Sequence, residues 1–395
     1  MARRNVFSAN VTTRTAVLRT LGSIAILLAA SSVAQASTLN VCKSGCTYST
    51  IQAAVNAANT ADVIQIGAGT YFENIVITKS LTLLGGGEDF TVIDGSSRGP
   101  VITDFFGSTD LTVVGVTVTH GGQGGIVVSN QSLTLTNSII ASNDGPGLFL
   151  FSETNATISG SVITHNENRT GAITVNGNAL GAQGGGISTA GDLGIVSTIT
   201  IVNSSVVRNT APNGGGIFAD ENQRLSVSNS SISDNTASLG DGGGIYITPE
   251  EFPKVAPGGS LRLDSSTVEN NHATTDGGGI CGSATISNSV VARNTAGHNG
   301  GGISNADSCT GFSPAQLALL QLTNVTVAGN SASNVGGGIS ATNVTTNDVV
   351  IVQNTAGSKD GGIVASTLTA AGAPLLVTAN TPNNCDVPTG GCPNP

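Results

Sequence analysis

The fold is decided by a stretch that runs Ile201-Val202-Asn203-Ser204-Ser205-Val206-Val207-Arg208-Asn209-Thr210-Ala211 and then, after two residues, Gly214-Gly215-Gly216-Ile217. Other parts of the chain repeat this unit. Its second Asn returns, three residues after an Ile or Val, as Asn143, Asn166, Asn209, Asn235, Asn271, Asn294, Asn330 and Asn354. The glycine run returns in step and ends at Ile187, Ile217, Ile245, Ile280, Ile303, Ile339 and Ile363. Most of the neighbouring Asn are 23 to 36 residues apart, which is typical of solenoid coils with loops of variable length.

Each unit contains several short strand segments separated by turns. Apolar and polar residues alternate in Leu225-Ser226-Val227-Ser228-Asn229 and again in Leu261-Arg262-Leu263. Period-two alternation places one face of a strand in the core and the other face outside it. The composition, with 54 Gly and no Trp, suits tight turns and stacked strands better than a thick globular core. The sequence therefore predicts an all-β fold, a parallel β-helix whose coils stack about 4.8 Å apart.

The repeated Asn and Gly residues predict the corners of the coils. We expect Asn209, Asn235 and their equivalents to stack as a ladder of side-chain amides, each bonded to the next coil. Such a ladder satisfies polar groups in a bend that cannot be fully apolar. The glycine run before Ile217 suits a corner that needs positive φ or passes close to the neighbouring coil.

The segment before the first repeat predicts an N-terminal cap. Ser49-Thr50-Ile51-Gln52 is a capping box, and apolar residues follow at helical spacing, namely Ile51, Ala54, Val55 and Ala58. A short amphipathic helix here would cover the open end of the solenoid. The chain then divides into an export signal (1–36), a disulfide loop with the capping helix (37–62), the β-helix (63–380) and a C-terminal cap or tail (381–395).

The first 36 residues have the pattern of a signal peptide. Four arginines (Arg3, Arg4, Arg14 and Arg19) give it a basic start, residues 21–30 are apolar, and Ala34-Gln35-Ala36 is a small-x-small cleavage site. The apolar stretch is well short of the about 20 residues that a membrane span needs. We therefore expect a secreted, extracellular protein without a transmembrane anchor, either released or held at the cell surface noncovalently.

Charge and cysteine content agree with export. Removing the four signal arginines leaves 10 Lys and Arg against 24 Asp and Glu, a net charge of −14, which makes nucleic acid an unfavourable partner. An even number of cysteines in an exported chain favours disulfides over metal ligation. Six cysteines allow 15 pairings, of which proximity favours Cys42–Cys46, Cys281–Cys309 and Cys385–Cys392. The sequence carries no signal for an oligomeric state.

The repeats also resemble known families. The chain is similar to the opening of pectin-lyase-like β-helix proteins at Ser49-Thr50-Ile51-Gln52-Ala53-Ala54-Val55, Gly69-Thr70-Tyr71, Glu73-Asn74 and Leu81-Thr82-Leu83-Leu84-Gly85. Its later coils resemble the repeats of polymorphic outer-membrane proteins, with Ile or Val for the Phe of their Phe-x-x-Asn motif and Gly-Gly-Gly-Ile for their Gly-Gly-Ala-Ile. The resemblance spans roughly residues 46–365 and implies a right-handed parallel β-helix. It does not select a function, since this fold carries lyases, hydrolases, esterases, adhesins and phage tailspikes.

The sequence shows no catalytic pattern of this fold class. Pectinolytic enzymes with this fold use paired Asp with a nearby His and Arg-x-Lys, or Asp-bound calcium with a basic residue as proton acceptor. Neither pattern is present. The four histidines have no carboxylate and nucleophile beside them, which favours structural or surface roles for His120, His165, His272 and His298. No catalytic residue is assigned.

Acidic residues before the glycine runs are candidate metal ligands. Asp241 and Asp276 would lie on adjacent coils, with Asn213 and Asn299 in equivalent positions. Carboxylates one coil apart repel each other unless they are protonated, separated by loops or bridged by a cation, so a calcium ion held by Asp241 and Asp276 is one interpretation. Asp as a turn residue before Gly is the other interpretation and the favoured one. The predicted function requires no cofactor.

One side of the solenoid is predicted to carry ligand contacts. Insertions follow the glycine corner at residues 188–197, 219–224, 247–260 and 304–319, so they should cluster on one side of the rod. Aromatic side chains there would stack on sugar rings while carboxylates accept hydroxyl hydrogen bonds. The predicted ligand-binding residues are Phe218, Asp220, Glu221, Tyr246, Glu250 and Glu251. The alternative role of the two aromatic residues is packing under the loops.

Two functions are consistent with these observations. The regular repeat and the missing catalytic pattern favour a secreted, noncatalytic, adhesin-like module that binds an extracellular polysaccharide or a cell-surface glycan or protein. The alternative is a polysaccharide lyase or glycoside hydrolase, which the pectin-lyase-like opening and the acidic loops favour.

Overall fold

The computed structural model describes residues 36–105, 110–129, 132–175, 178–191, 196–220, 223–248, 260–305, 309 and 319–388. These residues wind into a right-handed parallel β-helix in which the strands of successive coils pair in four columns. One coil shows the order of the columns along the chain. Ser197–Val202 lies in column 1, Ser205–Val207 in column 2, Thr210–Ala211 in column 3 and Ile217–Ala219 in column 4.

Most strands belong to one column, and the hydrogen-bonded register assigns each of them. Column 1 contains β1 (Thr38–Val41), β2 (Val63–Ile66), β5 (Leu81–Gly85), β8 (Asp110–Val114), β11 (Ser132–Thr136), β14 (Asn155–Ser159), β19 (Ser197–Val202), β23 (Gln223–Ser228) and β27 (Ser260–Asp264). Column 2 contains β3 (Gly69–Phe72), β6 (Thr91–Asp94), β9 (Thr117–Thr119), β12 (Ile139–Ala141), β15 (Val162–Thr164), β20 (Ser205–Val207), β24 (Ser231–Ser233), β28 (Thr267–Glu269) and β39 (Leu375–Thr378). Column 3 contains β21 (Thr210–Ala211), β25 (Thr236–Ala237), β29 (His272–Ala273), β32 (Thr295–Ala296), β35 (Ser331–Ala332) and β37 (Thr355–Ala356). Column 4 contains β4 (Ile75–Val76), β7 (Ile102–Asp104), β10 (Ile126–Ser129), β13 (Leu148–Phe151), β18 (Ile187–Ala190), β22 (Ile217–Ala219), β26 (Ile245–Ile247), β30 (Ile280–Cys281), β33 (Ile303–Asn305) and β40 (Cys385–Asp386).

The remaining elements bend through corners or lie outside the columns. Two strands run through columns 1 and 2, namely β31 (Ala284–Ala292) and β34 (Leu319–Ala328). Two others start in column 4, namely β36 (Ile339–Val352), which continues through columns 1 and 2, and β38 (Ile363–Ala370), which continues into column 1. An antiparallel hairpin on the outside is formed by β16 (Ala172–Val175) and β17 (Asn178–Gly181), and the helix α1 is Ile51–Ala57.

The interior of the rod is apolar, as the period-two alternation predicted. In one coil the inward residues Ile201, Val206, Ala211 and Ile217 are all fully buried. Each fully buried Val, Leu or Ile contributes about 1.5–3 kcal/mol relative to an exposed one. Stacking the coils therefore builds one continuous core from many thin layers.

The predicted Asn ladder is present. The Nδ2 of each ladder Asn donates to the Oδ1 of the Asn on the next coil, at distances from 2.8 Å for Asn143–Asn166 to 3.1 Å for Asn209–Asn235. The ladder extends one coil beyond the predicted series, because Asn354 Nδ2 donates to Asn380 Oδ1 at 2.9 Å.

A second ladder, of serines, was not predicted. It stands at the corner between columns 1 and 2, where the backbone N–H of one Ser donates to the Oγ of the Ser on the next coil. The Ser161–Ser204 distance is 3.2 Å, and the Ser204–Ser230 distance is 3.1 Å. Each hydroxyl also donates to a carbonyl two residues earlier, as Ser204 does to Val202 at 2.8 Å. The hydroxyl thus satisfies backbone groups at this corner, as the amide does at the next one.

Both predicted reasons for glycine, positive φ and a close approach to the neighbouring coil, are found at the glycine corner. Gly214 has φ +52, a conformation that residues with a side chain rarely adopt. At Gly216 a Cβ atom would lie 2.5 Å from the carbonyl oxygen of Gly244 on the next coil. The glycines therefore allow both the turn and the close approach of neighbouring coils.

Helix α1 covers the N-terminal end, with Ile51, Ala54 and Val55 buried. Its N-cap is Thr50, whose Oγ1 accepts from Ala53 N at 3.3 Å, so the helix begins one residue later than the capping box predicted. The cause is Glu73, whose carboxylate accepts from the backbone N–H groups of the first two helical residues, both at 2.9 Å. A side chain from the next coil thus completes the cap.

Candidate functional site

A cavity of about 380 Å³ opens on the outside of the rod, at the corner between columns 2 and 3. Its volume lies within the range of small-molecule sites. We call it the Arg169 cavity, and its walls are formed by Ser142, Asn143, Asp144, His165, Glu167 and Arg169.

The Asn ladder determines which side chains meet at this cavity. Ser142 and His165 each stand immediately before a ladder Asn, and both have positive φ, 55° and 53°. Asp144 and Glu167 each stand immediately after a ladder Asn, and their backbones pair in parallel. Two polar positions on each of two adjacent coils therefore face the same opening.

Arg169 lies between the two carboxylates. Its Nη2 pairs with Glu167 Oε2, and its Nη1 lies 3.7 Å from Asp144 Oδ1. The three side chains are 69%, 48% and 66% exposed for Arg169, Glu167 and Asp144, so the pairs add little to stability. All three groups can therefore exchange partners with a ligand.

The loop that carries Arg169 is held by the buried Asn168. Its Nδ2 donates to the carbonyl of Ala182 and, at 3.3 Å, to the carbonyl of Gly184, while its Oδ1 accepts from Gly171 N at 3.2 Å. Asn168 is 1% exposed. This buried amide fixes the backbone next to Arg169.

The outer hairpin forms a second wall. A smaller cavity of about 110 Å³ adjoins the first and shares Asp144, Glu167 and Arg169 with it, and Ile173 of β16 lines its far side. Thr174 N in β16 donates to Gln123 Oε1 at 2.7 Å. Ile173 also belongs to a small apolar cluster with Val127, Phe149 and Ala182. The hairpin is thus packed onto column 4 beside the cavity.

The two predicted aromatic residues contact each other. Phe218 and Tyr246 pair in register on adjacent coils of column 4, with ring centroids 5.4 Å apart. Phe218 is only 8% exposed, and Tyr246 is half-buried. Burial, with the charges of Asp241 and Asp220, raises the pKa of Tyr246 to about 12. Phe218 is thus less exposed than a sugar-stacking role requires, and ligand binding by this pair stays a prediction.

Asp220 joins three coils at the base of the insertions. Its N–H donates to Thr189 Oγ1 at 2.8 Å, and its carboxylate accepts from Gly191 N at 3.1 Å and from Thr248 Oγ1 at 3.3 Å. These contacts stabilise the corner from which the insertions leave. The other predicted ligand residues lie outside the described residues, namely Glu221, Glu250 and Glu251.

The predicted metal ligands lie on adjacent coils, as expected, and bond to neighbouring coils. Asp241 N donates to Asn213 Oδ1 at 3.0 Å, and Asp241 Oδ1 accepts from Thr275 Oγ1 and from Asp276 N. Asp276 Oδ1 in turn accepts from Asn299 N at 2.6 Å. Within the described ranges, no group of three or more His, Cys, Asp or Glu is placed to hold a metal ion. Calcium binding by Asp241 and Asp276 stays a prediction.

Two of the predicted disulfides are present, Cys42–Cys46 and Cys281–Cys309. Cys385 is also disulfide-bonded, whereas Cys392 lies outside the described residues.

The predicted export signal spans residues 1–36. All of these residues except Ala36 lie outside the described residues. No helix in the described part of the chain has the length and apolar character required to cross a membrane.

Comparison with known proteins agrees with this architecture. The family model for a right-handed beta helix region matches residues 104–256, and the model for the Chlamydia polymorphic membrane protein repeat matches residues 265–283. The chain is a right-handed parallel β-helix protein. No curated protein matches its sequence.

Several solved structures are similar to this β-helix protein. An alginate lyase from Paenibacillus sp. is 14% identical, with a TM-score of 0.43 over 87% of this chain and 99% of that chain. The A-module of a mannuronan C-5 epimerase from Azotobacter vinelandii is 14% identical, with a TM-score of 0.43 over 85% and 94%. The catalytic unit of an α-1,3-glucanase from Streptomyces thermodiastaticus is 16% identical, with a TM-score of 0.47 over 81% and 64%.

Proposed function

We propose that this protein is an exported, extracellular, noncatalytic β-helix that binds a glycan in the Arg169 cavity. The observation that carries the proposal is the cavity itself, in which Arg169, Asp144 and Glu167 face one opening of about 380 Å³. Two disulfides in the rod support an oxidising compartment.

The chemistry of the cavity suits sugar hydroxyls, which both donate and accept hydrogen bonds. The Arg169 guanidinium supplies donors, and the Asp144 and Glu167 carboxylates supply acceptors. His165 adds an exposed imidazole, whose Nδ1 lies 2.8 Å from Thr164 Oγ1. Hydrogen bonds to charged groups contribute about 1.5–3 kcal/mol each, so a few such contacts support a measurable affinity.

The alternative function is a polysaccharide lyase or glycoside hydrolase, and one observation favours it. Asp144 and Glu167 stand in register on adjacent coils beside His165, so two carboxylates and an imidazole face one cavity. Hydrolysis by general acid catalysis uses a carboxyl group held in apolar surroundings. Both carboxylates here are well exposed and share one guanidinium, which favours binding over catalysis.

The test is binding to a panel of soluble neutral and acidic polysaccharides, followed by isothermal titration of the ligands found. We expect Arg169→Ala and Glu167→Gln each to weaken binding at least tenfold, since each removes a charge-assisted contact. The matched control is Arg262→Ala, which removes an exposed arginine in column 1, away from the cavity.

Two outcomes would contradict the proposal. Unchanged affinity in both cavity variants would place binding elsewhere on the protein. Unsaturated or reducing-end products, formed with or without calcium and lost in Glu167→Gln, would establish the enzymatic alternative.

A further inference from the structure

The Arg169 cavity is continuous with column 3. The backbone of Asp144 pairs with Glu167, and Glu167 pairs with Thr210, the first residue of β21. The outward residues of column 3 follow in register along the rod, one from each coil. We call this set the hydroxyl column, and it consists of Thr210, Thr236, His272, Thr295, Ser331 and Thr355.

The hydroxyl column is a regular polar surface. The following residue of each strand is an alanine that points inward and is at most 5% exposed, so the hydroxyl and imidazole side chains point outward. Neighbouring coils repeat about every 4.8 Å. His272 Nδ1 lies 2.8 Å from Thr295 Oγ1, so adjacent members are close enough to contact one ligand together. A ligand with a repeat of about one coil would meet the same kind of group at each step.

The charges around the column nearly cancel. His272 is its one titratable member. The flanking positions include Arg208, Asp234, Asn270 and Arg293, of which two are positive and one is negative, and Arg293 is paired with Glu269. The whole chain has a net charge of −10. Such a surface offers a uronate chain no net attraction.

We propose that a neutral, extended polysaccharide lies along the rod axis over the hydroxyl column, with about one sugar unit per coil and one end in the Arg169 cavity. This inference rests on the proposed function, because the cavity provides the anchoring contacts. An extended β-1,4-linked chain fits, since its sugar unit is about as long as the spacing of the coils and its hydroxyls repeat along both edges.

The experiment is isothermal titration of the intact protein with cello-oligosaccharides of two to six units, and with hexagalacturonate. We expect cellohexaose to bind at least tenfold more tightly than cellobiose, and more tightly than hexagalacturonate. The double variant Thr236→Ala/Thr295→Ala should weaken cellohexaose binding about tenfold, as expected for two lost hydrogen bonds, and leave cellobiose binding unchanged. The matched control is Thr134→Ala/Thr157→Ala, a register pair of outward threonines in column 1.

The outcomes separate the two proposals. Equal affinity for cellobiose and cellohexaose, both lost in Arg169→Ala, would overturn binding along the hydroxyl column and leave the Arg169 cavity as the binding site. Tighter binding of hexagalacturonate than of cellohexaose would contradict the proposal that the ligand is neutral. Binding that Arg169→Ala does not affect would overturn the proposed function and, with it, the site on the hydroxyl column. No binding of these oligosaccharides by a protein that binds another polysaccharide of the panel would overturn the site on the hydroxyl column alone.

Discussion

Asn235 shows how one side chain joins three coils. Its Nδ2 donates to the Val206 carbonyl at 2.9 Å and to Asn271 Oδ1 at 3.0 Å. Its Oδ1 accepts from the backbone N and from the Nδ2 of Asn209, at 2.9 Å and 3.1 Å. Asn235 is fully buried, so each of these bonds satisfies a group that water cannot reach.

Replacing Asn235 by Leu should therefore be far more costly than a surface change. The substitution leaves the backbone and Nδ2 donors of Asn209 without their acceptor and removes the Nδ2 donor from the Val206 carbonyl and from Asn271 Oδ1. We expect the free energy of unfolding to fall by about 3 kcal/mol or more. Urea unfolding followed by circular dichroism measures it. Thr157→Leu, at an exposed position of column 1, is the control. Equal unfolding midpoints for the two variants would contradict a contribution of the Asn ladder to stability.

Asp241 predicts a pH dependence of stability. Burial raises the pKa of its carboxyl above the ordinary value of 3.8, and the nearby Asp276 adds to the rise, while the hydrogen bonds from Thr275 and Asp276 N and the charge of His298 oppose it. Ionisation is therefore harder in the folded state, and stability is lost as the pH rises from 3.8 through the raised pKa. Asp241→Asn should be more stable than the wild type at pH 7 and equal to it at low pH.

Asp264 provides a control of opposite sign for this measurement. Hydrogen bonds from Ser287, Asn288 and Ser265 lower the pKa of its carboxyl, so its contribution is present above 3.8 and lost as the pH falls through the lowered pKa. Asp264→Asn should be less stable than the wild type at pH 7. Thermal midpoints of both variants across the pH range test the pair, and parallel curves would contradict the assignment.

Among the elements, the two disulfides whose cysteines are both described differ in the loop that each one closes. Cys281–Cys309 joins residues 28 apart, whereas Cys42–Cys46 joins residues 4 apart. The chain-entropy relation assigns about 3.5 kcal/mol to the longer loop and about 2 kcal/mol to the shorter one. We expect Cys281→Ser/Cys309→Ser to lower the urea midpoint more than Cys42→Ser/Cys46→Ser does. The reverse order would show that chain entropy does not govern these crosslinks.

The columns and corners could be predicted from the sequence because each has a local signal. The ladder Asn recurs in each unit from Asn143 on and the glycine run in most of them, and alternation separates inward from outward residues. Alternation identifies residues that point out of the rod, but it does not show whether other parts of the chain cover them. For this reason Phe218 was expected at the surface, although it is buried. The Ser ladder was missed because Ser is also an ordinary turn residue, and its stacking shows only once the coils are in register.

The Arg169 cavity was missed for a different reason. The ladder register alone aligns Asp144 with Glu167 and sets His165 beside them, so that part could have been found in the sequence. The position of Arg169 depends on Asn168 bonding to Ala182 and Gly184 across the outer hairpin. Those partners lie up to 16 residues away, and no periodic pattern marks the contact.

At the scale of the whole molecule, a solenoid is stabilised mainly by contacts between neighbouring coils. A coil at either end has only one neighbour, so its stability depends on the cap. Glu73 joins α1 to the second coil through two backbone hydrogen bonds. Glu73→Ala should destabilise the first coil by about 2 kcal/mol and leave distant coils unchanged. Hydrogen exchange should show faster exchange in α1 and β1, with β27 unaffected. Glu153→Ala, at an exposed turn, is the control, and uniform loss of protection along the rod would contradict this picture.

The ladder has a consequence for how such a rod changes length. Each Asn bonds to its equivalents on the coils before and after it, so the partners on either side of any coil are interchangeable. Inserting or deleting one whole unit between two coils would restore the same pairs of atoms, whereas removing part of a unit would leave amides without partners. The protein can therefore be lengthened or shortened in steps of one repeat by duplication or loss of coding sequence, provided that the helix at its start is kept.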